Sequence, residues 1–208
     1  MVNKLVVFLT LVLICNISNS QNKHPERFIS LIDFEYNTIF KDLPSNIPDG
    51  RYYTSSKYKD GKIKSIQTIG YKNQKKHGES LTFKKALGIM FVANVTNYFK
   101  GKREGYYFDT DNHTFSEEGY YKNGKKHGFW KIRKNDFFEN IHYQNGLKSG
   151  NYSSQDNLLG KNSTGQYKKN RKENVWFIED TNTGEITKET YKKGKLILKE
   201  SIDPFKKK

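Results

Sequence analysis

The sequence predicts an all-β protein, an elongated single-layer antiparallel β-meander of repeated hairpins, with a short N-terminal helical or irregular cap. Three observations carry this prediction. A tyrosine recurs at steps of 22 to 27 residues, two turn signals alternate within each step, and the segments between turns are rich in Tyr, Phe, Trp, Ile and Val. These segments are too short for helices, so we expect two strands per repeat.

The repeat is clearest in Tyr120 to Trp130, YYKNGKKHGFW. Each unit carries a tyrosine, a glycine seven residues later and an aromatic residue two further on. The tyrosines are Tyr71, Tyr98, Tyr121, Tyr143, Tyr167 and Tyr191. The glycine column is Gly78, Gly105, Gly128 and Gly150, then Asn174, and the last column is Ser80, Tyr107, Trp130, Tyr152 and Trp176. Gly50 and Tyr52 resemble the same glycine and aromatic pair from an earlier unit.

The turn signals form two alternating rows. Asn-Gly is a strong hairpin signal, because both central residues of a type I′ turn need positive φ. The first row follows the tyrosines: Asn73-Gln74, Lys100-Gly101, Asn123-Gly124, Asn145-Gly146, Lys169-Asn170 and Lys193-Gly194. The second row lies half a unit away: Asp60-Gly61, Asp109 to His113, Asn135-Asp136, Asp156 to Gly160 and Thr181 to Gly184.

A two-residue turn at Asn123-Gly124 fixes a hairpin register. It places Lys122 opposite Lys125, Tyr121 opposite Lys126, Gly119 opposite Gly128 and Glu117 opposite Trp130. Because alternate residues and cross-strand partners share a face, Tyr121, Gly128, Trp130 and Ile132 should point the same way. The glycines should leave a gap that an aromatic ring covers, and repetition should build an aromatic ladder that supplies the main apolar burial.

The Tyr-x-Asn-Gly-Lys-x-x-Gly-x-Trp pattern, complete in Tyr121 to Trp130, resembles the bacterial variant of the MORN repeat. The resemblance covers about Pro48 to Leu196. It implies antiparallel hairpin sheets that act as scaffolds for proteins or lipids, and some bacterial members are labelled antitoxins. Three features depart from the pattern: Ser80 lacks the aromatic ring, Asn174 replaces glycine, and the segment Phe83 to Tyr98 is longer and more apolar.

The two ends are expected to differ from the repeats. Residues 1–20 have the layout of a secretory signal peptide, with Lys4, an apolar run, and small residues at Ser18 and Ser20. The run is too short for a membrane span of about 20 residues. The bulky Ile14 argues against lipid anchoring at Cys15, the single cysteine. We therefore expect a secreted or periplasmic protein without disulfides, cleaved near Ser20.

Residues 21–47 are predicted to form a cap or linker, residues 48–200 the repeats, and residues 201–208 a basic tail. Apolar residues between Pro25 and Leu43 recur at helix-like steps of three and four, with Pro44 as a stop. We expect this segment to cover the first edge of the sheet. At the other end, lysines on the final strands should deter further pairing: Lys192, Lys193, Lys195 and Lys199.

Catalytic and metal-binding motifs are not apparent in the sequence. His77 and His127 recur in KKHG, but their column continues as Glu104, Ser149 and Glu173, and neighbours in it lie two strands apart, about 9 to 10 Å. This distance is too great for shared zinc ligation. We expect solvated histidines, no cofactor and no enzyme, although a pocket in the segment Phe83 to Tyr98 would reverse the last expectation.

Basic residues recur beside the first row of turns in a chain of formal net charge +15. The predicted basic row is Lys75, Lys76, Lys102, Arg103, Lys125, Lys126, Lys148, Arg171 and Lys172. Two functions remain open. One is a scaffold that binds a protein partner, including a toxin in an immunity system; the other is adsorption to an anionic lipid, lipopolysaccharide or cell-wall glycan surface. Nucleic acid is not an expected partner.

Overall fold

The structure, a computed structural model, describes residues 39–40, 47 and 49–202, which form a single sheet of 15 strands. The strands are β1 (Ile39–Phe40), β2 (Gly50–Lys57), β3 (Ile63–Lys72), β4 (Lys75–Lys76), β5 (Gly78–Ala86), β6 (Ile89–Phe99), β7 (Lys102–Thr110), β8 (Phe115–Lys122), β9 (Lys125–Lys134), β10 (Phe137–Gln144), β11 (Leu147–Asp156), β12 (Lys161–Lys168), β13 (Arg171–Asp180), β14 (Ile186–Lys192) and β15 (Lys195–Ile202).

Strands that are neighbours in sequence are neighbours in the sheet, apart from the two-residue β4, which pairs with β3 beside β5. All pairings are antiparallel except that of β1 with β2. The described residues contain no helix, and so none that could span a membrane. The predicted all-β, single-layer antiparallel meander of hairpins is confirmed.

The first row of turns has the predicted backbone. Asn123 and Gly124 have φ of 52° and 79°, and the other five turns of this row also have positive φ at both central residues. One turn of the second row was missed by sequence reasoning. The long segment Phe83 to Tyr98 is a hairpin, with a tight turn at Leu87 and Gly88. An apolar residue at a turn, here 93% exposed, gives no polar signal for it.

The predicted register is correct next to the turn and wrong beyond it. Lys122 pairs with Lys125 and Tyr121 with Lys126, but Glu118 pairs with Lys131 because a bulge lies between. Gly119 and Gly128 are therefore not the pair that the simple register requires, and Glu117 faces Ile132 rather than Trp130. The bulge adds two residues to β9, so alternation is preserved and Tyr121, Trp130 and Ile132 still share a face.

The glycine column marks these bulges. Gly78, Gly105, Gly128 and Gly150 have φ of 75°, 85°, 70° and 102°, and Asn174 at the equivalent place has φ of 59°. Positive φ is costly for most residues but tolerated by glycine and asparagine. The replacement of glycine by Asn174 thus keeps the same backbone, and the column serves the bulge rather than a gap for an aromatic ring.

The first edge of the sheet is covered by β1, whose Ile39 pairs with Tyr53 and Phe40 with Thr54. The expected helix-like cap is therefore wrong at residues 39–40, which are strand. The signal peptide and the rest of the 21–47 cap otherwise lie outside the described residues, save residue 47. β15 extends the repeats to Ile202, two residues into the expected tail, and residues 203–208 again lie outside the described part.

Candidate functional site

The side of the sheet that carries Tyr121 and Trp130 is here called the aromatic face, and the other side the opposite face. Trp130 and Trp176 are 0% and 1% exposed, and Trp130 lies 5.1 Å from the Tyr121 ring and 6.1 Å from that of Tyr143. The ring contacts join three groups: Tyr52 and Tyr71; Tyr107, Tyr121, Trp130 and Tyr143; Tyr152, Tyr167, Trp176 and Tyr191. Of the predicted ladder residues only Tyr98 lacks a ring-to-ring contact among the described residues.

The tryptophans lie on glycines, but not on those of the repeat column. A Cβ on Gly119 would lie 2.3 Å from the Trp130 ring, and one on Gly165 would lie 2.2 Å from that of Trp176. By contrast, a Cβ on Gly128 would meet nothing within 4 Å. The prediction that an aromatic ring covers a glycine is therefore confirmed for Gly119. It is wrong for Gly128, the glycine of the repeat column.

The predicted basic row divides into inner and outer cations. Each inner cation is the direct cross-strand partner of a repeat tyrosine: Lys76, Arg103, Lys126, Lys148 and Lys172. This register puts them on the aromatic face. The Lys126 ammonium lies 3.9 Å from the Trp130 ring centroid, and that of Lys172 lies 4.3 Å from the Trp176 ring. Cation–π contact and apolar stem burial both stabilise such a position.

Carboxylates on the aromatic face pair with three of the inner cations. Lys126 lies 2.9 Å from Glu117, Lys148 lies 3.2 Å from Glu139, and Lys172 lies 3.8 Å from Glu189. These three lysines are half-buried, whereas Lys76 and Arg103 remain exposed. Three of the nine residues of the predicted basic row are thus neutralised within the fold, and this pairing follows from a long-range register that the sequence pattern did not reveal.

The phenols of the aromatic face are held neutral. Burial raises the pKa of Tyr143 to about 12. Burial, together with a hydrogen bond to Glu189, raises the pKa of Tyr191 to about 12. Burial also raises the pKa of Tyr121, opposed by the Arg103 guanidinium, which donates a 2.9 Å hydrogen bond to its hydroxyl. These hydroxyls act as hydrogen-bonding groups of the fold.

The outer cations point to solvent at the turns. Lys75, Lys102, Lys125 and Arg171 are exposed, and the stems of the last two lie 3.6 and 3.3 Å from a Cβ placed on the glycine of the next turn. Successive turns are also joined by backbone hydrogen bonds, such as that from Gly124 N to Arg103 O at 2.8 Å. The turns therefore form a continuous row in which each outer cation is held over its neighbour.

Four further lysines lie at these turns but were not included in the predicted basic row: Lys72, Lys122, Lys168 and Lys192. They follow the repeat tyrosines and face Lys75, Lys125, Arg171 and Lys195 directly across the hairpin. All eight cations are exposed, and within the described part of the chain none has a salt bridge. Like charges directly opposite are destabilising. These four pairs, here called the basic turn row, could have been found from the two-residue turn register alone.

The sequence column that contains His77, Glu104, His127, Ser149 and Glu173 has structural roles in the fold. Glu104 and Glu173 accept hydrogen bonds from the backbone N–H groups of Asn123 and Lys193 in the next turn, at 2.6 and 2.8 Å. The expectation of a solvated His127 is wrong, because this residue is half-buried and its Nδ1 is buried without a hydrogen-bond partner. Across residues 39–40, 47 and 49–202, no cluster of His, Cys, Asp and Glu could hold a metal ion.

Comparison of the sequence with protein-family models and with curated proteins finds no match.

Proposed function

We propose that this chain is a non-catalytic repeat scaffold, secreted or periplasmic, whose basic turn row binds an acidic protein partner. The resemblance to variant MORN repeats supports this proposal, and an immunity protein that holds a toxin is one form it could take. The observation that carries the proposal is the set of four unpaired like-charge pairs. The fold gains nothing from them, whereas an acidic partner would neutralise them.

The contrast with the inner cations strengthens the argument. Lys126, Lys148 and Lys172 have the same chemistry and stand one residue away from outer positions, yet each has a carboxylate partner. A chain that only needed positive charge for solubility would have no reason to neutralise the inner cations and leave the outer pairs unneutralised. The unneutralised pairs lie along one side of the sheet, separated by four, four and two strands, or about 19, 19 and 10 Å.

The test replaces one member of each pair: Lys72→Glu, Lys122→Glu, Lys168→Glu and Lys192→Glu together. Each change turns a like-charge pair into an opposite-charge pair, so the free energy of unfolding should rise while partner binding is lost. The control carries Lys84→Glu, Lys85→Glu, Lys134→Glu and Lys161→Glu. These exposed lysines give the same change in net charge outside the basic turn row.

The measurement is a pull-down from the secreted or periplasmic fraction of the source cell, followed by titration with the purified partner. A protein retained by the wild type and the control, but at least about tenfold less by the reversed variant, supports the proposal, and its binding should weaken as salt rises. No specific protein, or equal retention by the reversed variant, would show that the proposal is wrong.

The second candidate, adsorption to an anionic surface, is favoured by the placement of all four unneutralised pairs along one side of the sheet. Sedimentation with phosphatidylglycerol vesicles tests it with the same variants. Adsorption of wild type and control but not of the reversed variant, without a captured protein, would favour the surface over the protein partner.

A further inference from the structure

The opposite face carries a line of uncharged residues across nine successive strands, β6 to β14. It takes one residue from each strand, at the position before the repeat tyrosine or after the column glycine, and we name it the uncharged lane. Its members are Asn97, Tyr106, Tyr120, Phe129, His142, Asn151, Gln166, Val175 and Thr190. With 28% of the chain charged, about two or three charges would be expected among nine such positions.

Lane members are direct cross-strand partners at four of the eight steps, whereas at the bulged junctions Tyr120 pairs with His127 and Gln166 with Glu173. Tyr106 pairs with Tyr120, Phe129 with His142, Asn151 with Gln166 and Val175 with Thr190. Asn97 adds a hydrogen bond from its Nδ2 to the Tyr106 carbonyl at 2.9 Å. Adjacent strands lie about 4.8 Å apart, so the eight steps from β6 to β14 extend about 38 Å across the strands.

One half of the lane is aromatic and partly open to solvent. The Tyr106 and Tyr120 rings lie 5.7 Å apart, and the Phe129 and His142 rings lie 5.2 Å apart. Tyr120 and Phe129 are 39% and 42% exposed, unlike the tryptophans of the aromatic face. These rings therefore still have apolar surface that a ligand could cover.

The other half of the lane contains two amides, Asn151 and Gln166, which are hydrogen-bonded in series with Asn174 beside the lane. Gln166 Nε2 donates to Asn151 Oδ1 at 3.1 Å, and Gln166 Oε1 accepts from Asn174 Nδ2 at 2.9 Å. All three side chains are exposed. Each amide group carries two donor hydrogens and an oxygen with two acceptor sites, so this series of amides retains hydrogen-bonding capacity on its solvent side.

We propose that the uncharged lane binds a neutral polysaccharide laid across the strands. Sugar hydroxyls both donate and accept hydrogen bonds, as side-chain amides do, and the C–H faces of pyranose rings are apolar surfaces that match exposed aromatic rings. The lane members themselves carry no formal charge with which to pair a charged ligand. An extended peptide is disfavoured, because backbone N–H and C=O groups on a sheet face are already paired in the ladder.

The lane and the basic turn row share the opposite face, since Lys122 stands two residues after Tyr120 on the same strand. They differ in the forces that they offer, because lane binding should rest on ring stacking and neutral hydrogen bonds. Such contacts are little screened by salt, whereas binding to a row of exposed lysines is strongly screened. Salt therefore separates the two sites in one experiment.

The test is co-sedimentation of the purified full chain with cellulose, chitin and an insoluble β-glucan, at low salt and in high salt. We expect retention on at least one polysaccharide that changes less than about twofold with salt. Phe129→Ala should weaken it about tenfold through loss of a stacking ring. Gln166→Ala should weaken it by a smaller factor.

The matched control is Phe177→Ala. Phe177 is 45% exposed, lies on the opposite face through its pairing with Thr164, and stands outside the lane. Its replacement should leave retention unchanged, as should the four charge reversals in the basic turn row. Thermal unfolding of both phenylalanine variants checks that they fold alike. No retention on any polysaccharide, equal loss with Phe177→Ala, or elution by salt would overturn the proposal.

Discussion

The repeats from β7 to β14 and the region from β2 to β6 differ in how they distribute buried apolar side chains between the two faces of the sheet. In the later repeats the core is on the aromatic face, with Trp130, Ile141 and Trp176 at 1% exposure or less. In the earlier region the aromatic face buries Ile69 beside the polar Ser80, and the opposite face also buries Ile66 and Leu81. One backbone repeat thus accepts a core on either side.

The polar substitutes in the earlier region are satisfied locally. The Ser80 hydroxyl donates to the Thr68 carbonyl at 2.7 Å, and the Thr68 hydroxyl accepts from Leu81 N at 3.2 Å. The shared elements of the two regions are the tight turns and the bulges of the glycine column. These local backbone features, rather than the position of the core, keep the register constant along the chain.

Among the substitutions that test this difference between the two regions, Trp130→Ala should cause the largest loss of stability. The side chain is fully buried among Tyr107, Tyr121 and Tyr143, so its loss should cost about 3–5 kcal/mol of the free energy of unfolding. Leu81→Ala in the earlier region should cost about 2–3 kcal/mol. Urea unfolding followed by circular dichroism measures both. A larger loss for Leu81→Ala would mean that the aromatic face does not dominate stability.

A smaller effect is expected for Gly119→Ala, which places a Cβ 2.3 Å from the Trp130 ring. Displacement of the ring should cost about 1–3 kcal/mol. Since the clash is with the indole, the penalty should shrink when the same change is made together with Trp130→Leu. A double-mutant cycle by urea unfolding measures this coupling, and purely additive costs would contradict the contact.

Substitutions at the bulge residues should change the free energy of unfolding by smaller amounts. Gly128→Ala should cost about 1–2 kcal/mol because φ is 70°, while Gly128→Asn should cost less, since asparagine tolerates this region. At the natural asparagine, Asn174→Gly should change stability by less than about 0.5 kcal/mol, because the backbone at φ 59° suits glycine. Thermal unfolding ranks the three variants, and equal costs for Ala and Asn at residue 128 would contradict a bulge role.

The smallest effect at neutral pH concerns the phenols of the later repeats. In the folded protein the pKa values of Tyr143 and Tyr191 are about 12, above the value of about 10 for an unfolded tyrosine. The stabilisation is therefore complete below pH 10 and is lost as pH rises toward 12. Phenolate absorbance during alkaline titration measures this, and Tyr143→Phe should remove one late-titrating group. Titration of all tyrosines near pH 10 in the folded protein would contradict it.

Much of the fold was predictable because its determinants are local. Asn123-Gly124 specifies a turn through its own φ preferences, and alternation then puts Tyr121 and Trp130 on one face. The turn at Leu87 and Gly88 was not predicted, because only its glycine carries a turn signal. At the candidate site, the turn register predicted the pair Lys122 with Lys125, and the same reasoning applied to the other turns gives the remaining like-charge pairs, since they adjoin the turns.

What the sequence by itself determined is the repeat, the positions of most turns and the side of the sheet on which each repeat tyrosine stands. Only the tertiary structure decided that Lys126 pairs with Glu117, that Gly128 is a bulge, and that the region before β7 also buries Ile66 and Leu81 on the opposite face. The physical reason is the distance along the chain over which each feature is determined. Turn conformation depends on two or three adjacent residues, whereas ion pairing and burial depend on neighbours that a two-residue bulge shifts along the partner strand.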